Sequence, residues 1–237
     1  MNLLDVIILG VIGLSIAYGL YSGLISSLVN VVGLAAAWIC AICFYPKLSA
    51  WIVDNTTLLN LIVHYTEGAS HLSSLEAANT TVASAAYDFV VQTVQDAKFP
   101  APFDTMLLEN ILGQVFSGQG LTTIAEYFNY TLAYAVLNII SFLLILAFVY
   151  LLFTIAGSII SYVMRFPVLR IGDSLLGAGF GALRGVFIVF AFFMLLPVVL
   201  SVVQMDFLQE LISESAFASF FYDGNFLLSA IKSVIQA

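Results

Sequence analysis

The sequence predicts an all-α polytopic membrane protein, with four transmembrane helices and amphipathic helices outside the bilayer. Two observations carry this. Hydrophobic residues make up 62% of the 237-residue chain, 8% are charged, and mean hydropathy is +1.09; a soluble domain has roughly a quarter charged residues. The charges also leave long gaps, between Asp5 and Lys47, between Glu126 and Arg165, and between Arg184 and Asp206. A span needs ~20 apolar residues, so the first gap holds two spans and each of the others one.

Residues 1–45 read as a transmembrane hairpin. Its first helix is Leu3 to Tyr18, with neither the basic leader nor the cleavage site of a signal peptide. Asp5 sits at the membrane edge in the first turn, where the helix dipole favours an acid. Gly19-Leu20-Tyr21-Ser22-Gly23 is short, uncharged and bounded by glycines, and reads as a tight turn. The second helix is Leu24 to Phe44. It ends on Cys40-x-x-Cys43, a pair that in an apolar helix reads as packing rather than redox chemistry.

Residues 46–129 are less apolar and form an extracytoplasmic helical insert. Val82, Ala86, Phe89, Val90 and Val94 recur near helical spacing and predict one amphipathic helix over Leu75 to Val94. Phe99-Pro100-Ala101-Pro102-Phe103 breaks the chain, and Asp104 is placed to cap a helix from Met106 to Phe116. Such helices either lie on lipid or pack on one another, since both bury one apolar stripe. His64, Glu67 and His71 would share a helical face, but Gly68 interrupts it and no fourth ligand is evident. The reading is a polar face toward water, with no metal site, no cofactor and no catalytic constellation.

Residues 130–200 are a second transmembrane hairpin, with helices Tyr130 to Phe153 and Ser174 to Leu200. Asp173 stands as the membrane-edge cap of the latter, and Pro197 is expected to kink or end it. The extracytoplasmic tail, 201–237, is amphipathic from Asp206 to Tyr222, turns at Asp223-Gly224-Asn225, and ends in a short helix, Phe226 to Ile235.

Arginine and lysine placement orients the chain. Arg165 and Arg170 lie in the short connection between helices three and four, whereas Lys47 to Glu126 holds eight acids and two lysines. The connection is therefore cytoplasmic and both termini are extracytoplasmic. A net charge of −8 also argues against nucleic acid as a partner; the expected partners are the lipid bilayer and a second copy or an envelope protein.

Helix four carries the most informative pattern. Gly177, Gly181 and Gly185 lie four apart and line one face, and in lipid such faces let backbones approach closely. Gly10, Gly13 and Ala17 of helix one, and Gly157, offer partner strips. The face serves either packing within the bundle or contact with another protein. Arg184 lies eleven residues after Asp173, ~16 Å along the axis at 1.5 Å per residue. An arginine near the bilayer centre costs at least ~2.5–3.5 kcal/mol, so it should face polar groups inside the bundle: Asn30, Ser26, Asn138 or Ser141. It is either a functional group or a structural strut.

The opening Met1-Asn2-Leu3-Leu4-Asp5, the Gly19-x-x-x-Gly23 turn and above all Leu175-Leu-Gly-Ala-Gly-Phe-Gly-Ala-Leu-Arg184-Gly185 resemble the CvpA (colicin V production protein) family. The resemblance covers residues 1 to 45 and 130 to 200. It implies a small protein of the bacterial cytoplasmic membrane with about four helices, linked to colicin V or toxin production or export and to cell-envelope maintenance. This chain departs from the family at two points. The first turn lacks the usual basic residues, and Ser174 follows Asp173 where the family often has arginine. Two functions remain in view: a non-enzymatic scaffold or partner-binding protein, and a small-solute channel or transporter with Arg184 lining a polar path.

Overall fold

The computed structural model describes residues 2–99, 103–163, 170–202 and 206–223. Among them are nine α-helices and no β-strand: α1 (Leu3–Asn55), α2 (Leu58–Thr66), α3 (Leu75–Asn79), α4 (Tyr87–Asp96), α5 (Phe103–Leu112), α6 (Ile124–Val163), α7 (Arg170–Val202), α8 (Asp206–Ser213) and α9 (Ala218–Asp223). Three stretches are long and apolar enough to cross a membrane: Leu3–Asn55, Ile124–Ser158 and Gly172–Pro197. The chain divides into two compact units. Of the described residues, one comprises 2–45, 141–163, 170–194 and 206–223; the other comprises 46–99, 103–140 and 195–202.

In the first unit α1 folds back on itself. Gly23 has φ 78 and ψ 178, a left-handed backbone that only glycine adopts without strain. Ser27 Oγ then donates to the Gly19 carbonyl at 3.4 Å, a separation that a straight helix could not give eight residues apart. The two arms, 3–22 and 24–55, thus form a hairpin. The first arm runs antiparallel to α7, with Ile12, Ser15 and Gly19 opposite Gly185, Gly181 and Gly177. The second arm runs antiparallel to α6. Val29 lies against Gly157, Gly33 against Phe153, and the Trp38 ring meets Phe142 edge-on at 5.3 Å.

The second unit has a core of its own. Val90 and Val94 of α4, Phe103, Leu107 and Ile111 of α5, and Ile124, Phe128 and Leu132 of α6 are buried together. Ile52, Leu59 and Ile62 bury against Ala133, Val136 and Leu137. These helices pack on one another. A reciprocal cap opens α6: Glu126 accepts the Thr122 and Thr123 amides at 2.7 and 2.9 Å, and the Thr123 hydroxyl accepts the Glu126 amide at 3.3 Å.

Several boundaries differ from expectation. The second arm passes Phe44 and Pro46 to Asn55, and α6 begins at Ile124, before Tyr130. Hydropathy marks the part of a helix suited to lipid; the added turns are stabilised by the second unit's core. Pro197 lies inside α7, which continues to Val202. The stretch 75–94 is not one amphipathic helix. It is α3, a 3-10 turn at Val82–Ser84 and α4, and Ala86 and Phe89 are exposed while Val82, Val90 and Val94 are buried. Extended residues at Thr80 and Thr81 break it, because the Thr80 carbonyl and the Val82 amide bond instead to Ile124 and Thr122. The helix expected over 106–116 is α5, which starts at Phe103 and ends at Leu112. The tail turns between α8 and α9 at Ser215, and the last turn and helix, 224–237, lie outside the described residues.

Candidate functional site

The polar chemistry of the first unit gathers along the contact between the first arm of α1 and α7. At one end, Asp173 Oδ1 accepts the Leu24 amide at 2.9 Å, and the Ser174 hydroxyl donates to the Leu20 carbonyl at 2.8 Å. Breaking a helix at Gly23 leaves carbonyls unpaired before it and amides after it. Asp173 and Ser174 supply one partner to each side. Asp173 therefore caps the second arm of α1 and not its own helix, which begins at Arg170. A Cβ on Gly23 would run into the Asp173 carboxylate.

Further along, the helices touch backbone to backbone. A Cβ on Gly177 or Gly19 would strike the other's carbonyl oxygen; one on Gly181 would lie 2.5 Å from the Ser15 carbonyl, and one on Gly185 2.9 Å from Ile12 Cα. The strip opposite α7 is thus Ser15, Gly19 and Gly23. Gly10 and Gly13, expected to form it, have nothing within 4 Å of a Cβ, and Gly179 is likewise open. The close approach lets the Ser15 hydroxyl donate to the Gly181 carbonyl at 2.7 Å.

Arg184 closes the arrangement. Its Nε donates to Ser15 Oγ at 3.0 Å, and its guanidinium lies over the Tyr18 ring, 4.6 Å from the centroid. These partners differ from the expected ones. Of the expected partners Asn30 lines the same space without bonding Arg184, beside Ser27 and not Ser26, and that space admits no water molecule. Asn138 belongs to the second unit. Ser141 Oγ is buried in the first unit without a hydrogen-bond partner. The reason is register: Ser15 stands opposite Gly181, one turn before Arg184, within reach of a guanidinium lying back along α7.

Asp5 is more than a dipole partner. It is fully buried, and its carboxylate accepts the Ser215 hydroxyl, the Asn2 amide at 2.9 Å and the Phe217 amide at 3.3 Å. Asn2 donates in turn to the Leu211 carbonyl, and Phe221 of α9 packs on Phe190 and Phe193 of α7. The start of α1 is therefore tied to the corner between α8 and α9.

The remaining candidates are not gathered. Helix α2 ends at Thr66 and Glu67 is left-handed at φ 40, so His64, Glu67 and His71 share no helical face. Cys40 and Cys43 are free thiols. Sequence reasoning missed Ser15, Tyr18, Ser174 and Ser215. One signal was available: Ser15-x-x-x-Gly19-x-x-x-Gly23 has the same four-residue spacing as Gly177-x-x-x-Gly181-x-x-x-Gly185.

A helical membrane protein, folded around glycine-to-backbone contacts with an arginine inside an apolar helix, is the class these features define. A family profile described as Colicin V production protein matches residues 4–94 and 105–225. The chain belongs to that family. No curated protein and no solved structure matches it.

Proposed function

We infer that this chain is a non-enzymatic scaffold of the bacterial cytoplasmic membrane, crossing it four times and presenting an outer helical unit to envelope proteins. The observation that carries the reading is the closed strut of Arg184, Ser15, Tyr18 and Gly181. Two contacts use the arginine within the chain, Ser15 is itself tied to the Gly181 carbonyl, and the adjoining space admits no water; a conducting path would need a wet lane. The hairpin at Gly23 supports reading α1 as two spans. Arg165 and Arg170 in the short connection orient both termini and the 46–129 insert outward by the positive-inside rule. Membership in the colicin V production family supports a link to toxin production or export.

Because α1 fills the Gly177–Gly181–Gly185 face, a second copy or envelope partner must use another surface. Gly10 and Gly13, open on the first arm, offer a close-approach strip for it. Native mass spectrometry in nanodiscs tests this. The expected result is an oligomer for wild type and a folded monomer for Gly13→Leu. Solute flux through proteoliposomes of wild type, abolished by Arg184→Ala, would overturn the scaffold in favour of the channel.

A further inference from the structure

A cleft of about 500 Å³ opens in the second unit between the 46–54 stretch of α1, the start of α6 and the segment after α5. Its volume is that of a small-molecule site, ~300–1,000 Å³. Two of its walls are polar side chains more than nine-tenths buried: Ser49 is 5% exposed and Asn138 is 7% exposed. Gln119, Tyr134 and Asp54 complete the polar lining; Gln119 Nε2 donates to the Tyr134 hydroxyl at 3.5 Å. Pro46, Ala50 and Val53 form an apolar side, and Phe116 stacks on Tyr134 at 5.5 Å between centroids.

We propose that this cleft binds a neutral saccharide unit, free or as a glycolipid headgroup. The lining contains an acid and no base, which disfavours anions. Two amides and two hydroxyls offer donors as well as acceptors. An ammonium ligand carries donors only and could not accept from the amide N–H groups of Asn138. A sugar hydroxyl both donates and accepts, so it can satisfy all of them. A vicinal diol suits the Asp54 carboxylate, and the C–H face of a pyranose suits the apolar side.

The test is saturation-transfer NMR on the full chain in nanodiscs, with maltose as probe, choline as the competing cation, and a diglucosyl diacylglycerol placed in the disc in a second series. The expected result is transfer to maltose, weakened about tenfold or more by Asn138→Leu and also by Gln119→Ala, an exposed position that leaves folding intact. Displacement of maltose by the glycolipid would assign the headgroup as source; its failure to displace would assign the free sugar. No transfer to maltose and no glycolipid binding, transfer to choline alone, or maltose binding indifferent to both variants would overturn the proposal.

Discussion

The first arm of α1 meets α7 through glycine and backbone, whereas the second arm meets α6 through rings and aliphatic side chains. Both pairs are antiparallel and both lie in stretches suited to lipid. In lipid the hydrophobic effect does not draw helices together, so each pair depends on van der Waals contact and hydrogen bonds. The glycine pair brings backbones near enough for Ser15 to reach the Gly181 carbonyl and for Asp173 to cap another helix. The ring pair gains contact area instead. Trp38 and Tyr45 both meet Phe142, and Trp38 Nε1 and Ser141 Oγ stay buried without partners among the described residues. Polar contacts between helices therefore concentrate where side chains are smallest.

Mutations that invert the two modes should separate them. The largest effect is expected for Trp38→Ala, which empties the ring pair and should cost ~3–5 kcal/mol. Thermal unfolding in nanodiscs would read it, and a change under ~1 kcal/mol would mean that α6 packing does not depend on the rings. Gly181→Leu should cost about 3 kcal/mol, since its Cβ must push the Ser15 carbonyl away; Gly179→Leu, on the same helix but facing open space, should change stability by less than ~0.5 kcal/mol. Equal losses would show that helix propensity, and not approach, governs the site.

Asp173→Ala should cost ~1–2 kcal/mol by leaving the Leu24 amide uncapped, with Asp173→Asn recovering most of it. Amide hydrogen exchange at Leu24 would report the loss directly. The smallest shift is expected for Arg184→Met. It removes one hydrogen bond and one ring contact but also a desolvation cost of at least ~2.5 kcal/mol, so stability should stay within about 1 kcal/mol of wild type or rise. A large loss would make the arginine a structural necessity.

Hydropathy alone marked the membrane stretches, because a bilayer imposes length and apolarity on any segment that crosses it. Charge gaps gave a hairpin at Gly19 to Gly23, and the four-residue glycine spacing on α7 marked a face built for close approach. The sequence could not say what would fill that face. Gly10-x-x-Gly13 and Ser15-x-x-x-Gly19 are both small-residue strips, and the choice between them is a matter of register. The φ of Gly23 and the Asp173 cap fix that register across about 150 residues of chain.

The same holds for Arg184 and Asp5. Composition determined that a charge in a span needs a polar partner. Only the tertiary structure chose Ser15 and Tyr18 over Asn30 and Asn138, and joined Asp5 to Ser215, two hundred and ten positions away. Local pattern sets which faces are small, apolar or charged, since that depends on residues a turn apart. Which faces meet depends on chain reversals and distant caps, and these are decided by contacts that no local window contains.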